Sequence, residues 1–294
     1  MYLYIMKYPI FNLIITVFLL WLTIQIGRSS EEYLSYFFIL TIGIMHGSND
    51  ISLINVLKTN KKRSYKFLLI YIAFVIFAIL AFFLFPFFAL LSFVFVSCYH
   101  FGEQHYHHLM KKRNTKSLLF FISYGSLIFG LLFYFNYDAT SAIIYELTNV
   151  TLSEQQFLYF LIIGGGATIL TTLLNRTNFT SEFNYFQELF LIVLFTLLFQ
   201  LASLLWAFAI YFVVWHSLPS LMDQIKMLYG DSSKINFINY IKSSFIYWLV
   251  SILGLVMLYL STKYFDINFI TIFFAFLAAI TVPHVIVMYF LNKN

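Results

Sequence analysis

Long apolar stretches separated by short polar ones dominate the chain. A helix needs about 20 apolar residues to cross the hydrocarbon core of a bilayer. Ten stretches approach that length: roughly 9–26, 33–57, 67–85, 86–108, 117–135, 157–174, 185–201, 203–221, 237–262 and 268–290. The pattern predicts an all-α, polytopic bundle of about ten transmembrane helices, forming a single domain over residues 1–294 with no soluble domain, linker or clear repeat. The stretch 185–221 reads either as one long tilted helix, giving nine spans, or as two short ones. The first run, Pro9 to Ile26, lacks a small-residue cleavage site and reads as a retained span rather than a signal peptide.

Composition reinforces this picture. The chain is 62% hydrophobic and 10% charged, with a mean hydropathy of +0.87; soluble domains run nearer a quarter charged. So little polar surface cannot coat a water-facing globule, and an integral membrane protein follows. The pI near 9.0 reflects membrane orientation rather than nucleic-acid binding, because the basic residues cluster in short loops. With ten spans and both termini inside, Lys7, "KTNKKRSYK" (58–66), "KKRNTK" (111–116), Arg176, Lys226, Lys234, Lys242 and Lys293 are cytoplasmic. Only Arg28 and Lys263 lie outside. This is the positive-inside bias. Merging 185–221 would move Lys226, Lys234 and Lys242 outside. The outer loop 136–156, "NYDATSAIIYELTNVTLSEQQ", has three acids and no Lys or Arg. A lone cysteine, Cys98, excludes an internal disulfide and a thiolate-rich metal site.

Against this background the histidines stand out. His46, His100, His216 and His284 fall in the second, fourth, eighth and tenth stretches. All four stretches run from outside to inside, and each carries its histidine between its midpoint and its cytoplasmic end. At about 1.5 Å rise per residue, the four fall within a band roughly one to two helical turns deep. Ionisable groups inside a membrane are costly and usually mark a pathway or site. A single such histidine is as readily structural as functional. Four on separate helices at similar depth favour a shared metal, and neutral imidazole suits Fe, Cu, Zn and Ni.

The neighbours extend the pattern. Asp50, one turn after His46, falls on the same face of a regular helix. A carboxylate there can accept the ring N–H of a ligand histidine. Glu103, three residues after His100, reads equally well in that role or as plain structure, and Asp223 reads best as a solvated helix end. Gly43 and Gly47 flank His46 at a spacing that allows close helix approach. Pro283 removes a backbone hydrogen bond just before His284 and kinks its helix, either aiming the ring inward or as an ordinary membrane-helix kink. His105 lies about 140° around the helix from His100 and is a reserve ligand. His107 and His108 abut "KKR" (111–113) and read as surface residues. The 38 Phe and 22 Tyr suit an apolar substrate channel, although most such rings simply face lipid or other helices. Tyr99 and Tyr211 are candidate pocket residues.

The motifs "GIMHGSNDISLI" (43–54), "SCYHFGEQH" (97–105), "WHSLPSL" (215–221) and "PHVIVMY" (283–289) resemble the signatures of the Brp/Blh family of membrane β-carotene 15,15′-dioxygenases. The resemblance runs from residue 43 to 289. It implies oxidative cleavage of β-carotene at its central double bond by O2 to give two retinals. It also implies non-haem Fe(2+) held by His46, His100 and His216, and a functional link to a retinal-binding rhodopsin. Some members carry a further histidine one turn after the one in the W-H motif. This chain has Ser220 there, and His284 becomes the fourth candidate ligand. The localisation implied is the bacterial inner membrane, multi-pass. Two rival readings remain at this stage: a transporter for a transition metal or protons, and a b-type haem protein. The outer halves of the spans are nearly devoid of ionisable groups, which weighs against a transit path.

Overall fold

The structure is a computed structural model, and it describes residues 7–56, 61–265 and 268–291. Among them there is no β-strand. The helices are α1 (Lys7–Gln25), α2 (Arg28–Phe38), α3 (Ile44–Gly47), α4 (Asp50–Val56), α5 (Lys61–Leu84), α6 (Pro86–Tyr106), α7 (Thr115–Phe135), α8 (Tyr137–Thr148), α9 (Glu154–Leu174), α10 (Tyr185–Leu201), α11 (Leu204–Ile210), α12 (Leu218–Tyr229), α13 (Lys234–Phe265) and α14 (Phe269–Leu291). Two π-helical turns, Ile39–Gly43 and Tyr211–Ser217, interrupt the second and eighth expected spans. Among the described residues, seven helical segments are long and apolar enough to cross a membrane, and three shorter apolar helices cover Ile10–Gln25, Leu69–Leu84 and Tyr185–Leu201. The chain is an all-helical membrane protein. Part of the basic loop 58–66 lies outside the described residues.

The stretch 185–221 forms two helices. Ala202 and Ser203 are both extended (ψ 153° and 156°). The freed N–H of Ser203 donates to Glu31 Oε2 at 2.8 Å, and Glu31 also holds Arg28 at 3.1 Å. A buried carboxylate thus takes up a backbone donor that the break leaves open. The expected loop 136–156 contains α8, an element the polar composition conceals.

The residues form two compact units, neither continuous in sequence. The first comprises residues up to Ile39, Ser97–Ala142 and Thr151–Pro219. Its helices meet backbone to backbone. A Cβ at Gly102 would lie 2.0 Å from the Phe121 carbonyl oxygen, and one at Gly125 would lie 1.9 Å from that of Cys98. Only glycine lets α6 and α7 approach so closely. α7 begins with a reciprocal cap: Asn114 Oδ1 accepts from Ser117 N at 3.0 Å and Ser117 Oγ from Asn114 N at 2.8 Å. Ser123 and Thr171, 2.7 Å apart, tie α7 to α9. Two indoles pin α1: Trp206 donates to Thr23 Oγ1 and Trp215 to Thr16 Oγ1, each at 2.8 Å.

The second unit comprises Leu40–Val96, Ile143–Val150 and the residues from Ser220 onward. Here Pro86 ends the run of α5, because it has no N–H and constrains the residue before it. α14 carries Pro283 in its interior, and its first turn is capped by Glu146, which accepts from Asn268 N and Thr271 Oγ1. Leu53 and Ile54 of α4 pack on Val287 and Met288 of α14, with Tyr71 of α5 against the same cluster. Lipid-facing positions in both units keep large apolar side chains, such as Phe186 at 86% and Phe83 at 83% exposed.

Candidate metal centre

In the second unit, His46 follows the π-helical turn by three residues. A π turn widens the helix locally, its hydrogen bonds spanning one residue more than those of an α-helix. The Leu40 carbonyl in that turn accepts from Trp248 Nε1 at 2.6 Å. Gly43, its last residue, presents its carbonyl to His46 Nδ1. A carbonyl only accepts, so Nδ1 carries the proton and the lone pair of the neutral ring sits on Nε2. The helix then breaks at Ser48–Asn49 before α4 begins at Asp50.

Asp50 is the first residue of α4. Its Oδ1 lies 2.8 Å from Nδ1 of His284 on α14, so the carboxylate meets a ring from another helix. The sequence offers Asp50 as the oxygen partner of a ligand histidine, and the ring it meets is that of His284. The Asp50 contact fixes His284 as it would fix a metal-binding histidine, with Nδ1 protonated and Nε2 as the donor atom. The His46 and His284 ring centroids are 4.9 Å apart and nearly perpendicular, at 88°. A Cβ at Gly47 would lie 3.7 Å from His284 Nδ1, an ordinary contact. His46, His284 and Asp50 are all buried.

A polar network backs His46. The Tyr240 hydroxyl lies 2.7 Å from Gln224 Oε1 and 3.2 Å from the His46 carbonyl oxygen. Gln224 Nε2 in turn donates to Ser220 Oγ at 3.1 Å. Asn49 Nδ2 donates to the Tyr240 carbonyl at 3.2 Å, and Ser243 Oγ to Asn49 Oδ1 at 3.0 Å. Ser220, Gln224, Asn49 and Tyr240 are all buried. None of the last three was singled out in the sequence.

In the first unit, His100 and His216 are paired, with ring centroids 4.6 Å apart at 73°. His216 lies inside the second π turn, Tyr211–Ser217. Phe212 stacks on His216 at 5.6 Å and 15°, and Phe101 approaches it at 4.4 Å. Tyr211 is buried among Phe101, Phe195 and Phe199. His105 lies parallel to Trp215, 5.5 Å away at 8°. Glu103 engages Arg113 at 2.5 Å and accepts from the Tyr99 hydroxyl at 2.6 Å. His107 Nδ1 lies 3.3 Å from the Gln104 carbonyl oxygen, His108 is exposed, and Asp223 is half-buried.

The donor set suits a metal. Within the second unit His46 and His284 are buried, and each has an oxygen partner on Nδ1 that fixes the metal-binding tautomer; His216 is buried in the first unit. The fold and these residues define a helical membrane protein built around buried histidine pairs. The family model for beta-carotene 15,15′-dioxygenase matches residues 37–292, and the chain belongs to that family. No curated protein and no solved structure matches it.

Proposed function

We propose that this protein cleaves β-carotene at its central double bond with O2, giving two molecules of all-trans-retinal. The family match over residues 37–292 carries the reading. The reaction balances without a further reductant: the 15,15′ C=C bond is lost, two C=O bonds form, and both oxygen atoms come from O2. The histidines that the sequence singles out, His46, His100, His216 and His284, would hold ferrous iron, which would supply the redox chemistry that lets O2 react with an alkene. The chain's residues do the rest. Gly43 and Asp50 fix the tautomers of His46 and His284. Phe101 and Phe212 pack against His216 and keep water from it, with Tyr211 behind Phe101. A hydrocarbon substrate offers no hydrogen-bonding handle, so it is held by apolar burial and shape. β-Carotene dissolves in the bilayer, and entry between helices spares its extraction into water.

The Glu103–Arg113 pair points to a role for Glu103 in anchoring the 110–114 connection to α6, with Tyr99 as part of that anchor. Ten spans with both termini cytoplasmic, a bacterial inner-membrane location and a retinal-binding rhodopsin as consumer of the product complete the reading. The test is expression in a β-carotene-producing bacterial strain. Loss of orange colour with retinal in the extract supports it; unchanged carotenoid alongside well-expressed protein refutes it.

A further inference from the structure

α5 is nearly featureless. Among residues 67–84 the only polar side chain is Tyr71. A hydroxyl within hydrocarbon finds a partner or costs free energy, and this one is directed at a buried carboxylate: Tyr71 Oη lies 3.2 Å from Asp50 Oδ2. The other oxygen of the same carboxylate, Oδ1, takes the ring N–H of His284 at 2.8 Å. The ring of Tyr71 packs against the Leu53, Ile54, Val287 and Met288 cluster, so apolar contacts fix its body. Only the hydroxyl is left to act on Asp50.

We infer that Tyr71 is a positioning residue for His284, acting through Asp50. The inference rests on the metal-binding reading of that histidine. A carboxylate held at one oxygen turns about its last torsion, which is broad for Asp. With Tyr71 donating to Oδ2 and His284 to Oδ1, the carboxylate plane is set from both ends. The direction of the Oδ1 acceptor then sets the orientation of the imidazole, and with it the direction of Nε2. The sequence Tyr71–Asp50–His284 joins α5, α4 and α14 in one line of hydrogen bonds, all within the second unit. Outer partners of metal-binding histidines change metal affinity typically 10- to 100-fold when removed. Tyr71, one bond further out than Asp50, belongs at the lower end.

The test uses the purified full chain in detergent, with Co2+ as a spectroscopic probe and thermal unfolding of the metal-free protein alongside. Tyr71→Phe removes one oxygen and keeps the packing. It is expected to weaken Co2+ binding about 10-fold and to alter the visible Co2+ absorption. Asp50→Asn is expected to weaken binding about 100-fold, and the double variant no more than Asp50→Asn alone, because Tyr71 acts only through Asp50. Leu53→Ala destabilises the same cluster without touching the hydroxyl and should keep the wild-type Co2+ affinity. If Tyr71→Phe gives poor yields, Tyr71→Met serves the same comparison. A Tyr71 variant with wild-type affinity and spectrum, whatever its melting temperature, overturns the inference. So does a double variant that loses the product of the two single effects, or a Leu53→Ala loss equal to that of Tyr71→Phe. Wild-type protein that takes up no Co2+ overturns the metal reading itself, and the inference falls with it.

Discussion

The two histidine pairs are built by different means. In the second unit, His46 and His284 each present Nδ1 to an oxygen, the Gly43 carbonyl and the Asp50 carboxylate. In the first, His100 and His216 lie face to edge beside Phe101 and Phe212, and α6, the helix that carries His100, is fixed by glycine contacts too close for any side chain. Hydrogen bonds set the angle and the tautomer of a ring. Aromatic packing sets its position and excludes water, with a weaker directional preference. Hydrogen bonds orient one pair and close aromatic packing surrounds the other, and the two should respond differently to substitution.

The largest expected effect tests whether the pairs serve one ion. Single substitutions His46→Ala, His100→Ala, His216→Ala and His284→Ala should each abolish iron retention and carotenoid cleavage, measured by metal analysis and retinal yield. His107→Ala should do neither. If only the variants of one unit lose iron, the pairs do not share an ion. Next comes Gly125→Ala, where the new methyl would lie 1.9 Å from a backbone oxygen. A loss of more than about 4 kcal/mol is expected, read as collapse of the melting transition. Gly47→Ala, with 3.7 Å to the His284 ring, should shift the transition far less. Equal effects would mean that the first unit is no more dependent on close backbone contact than the second.

A third test separates orientation from packing. Phe212→Leu removes a stacked ring from His216 and should lower stability by about 1 kcal/mol while iron affinity changes less than in Asp50→Asn. A Phe212→Leu variant that loses iron as severely as Asp50→Asn would erase the distinction between the two pairs. The smallest effect lies away from both. Asp231 accepts from the Ser233 N–H at 2.9 Å and from Asn236 Nδ2 at 2.8 Å, which holds its carboxyl below the ordinary carboxylate range. A lowered value stabilises the fold above the unfolded-state pKa, and the contribution is lost as pH falls through the folded one. Wild type should lose slightly more stability than Asp231→Asn on acidification below about pH 4, with the iron site unaffected.

Much of the fold was legible because hydrocarbon imposes a single requirement, an unbroken apolar run, and the sequence carries it openly. Most helical ranges follow those runs, although the segment from Leu204 continues to Tyr229 and α5 begins at Lys61, and the extended Ala202–Ser203 pair separates 185–201 from 203–221. The hidden features are those for which hydropathy has no signal. α8 lies in a stretch that looks like a polar loop, and neither π turn has a residue signature. At the site, the histidines were visible because imidazole is rare in such surroundings. The particular partner of Asp50, His284, was not, because periodicity along one helix says nothing of which ring a distant helix brings to it. Tyr71 did leave a trace, as the lone hydroxyl in an apolar run. Tyr240 and Gln224 did not, since nothing local tells a buried network from a wetted helix end.

The π turn around His216 has a consequence for how this chain can change. Each residue advances an α-helix by about 100°, so a wide turn amounts to one residue more than a regular helix would hold. Deleting a single residue from 211–217 would let the backbone relax to ordinary geometry and leave the span long enough to cross. It would keep the rest of that span, Ser220 and Gln224 included, close to its present rotation, because the wide turn already absorbs the extra residue. The change would be felt at the turn itself, where the widened backbone carries the His216 ring.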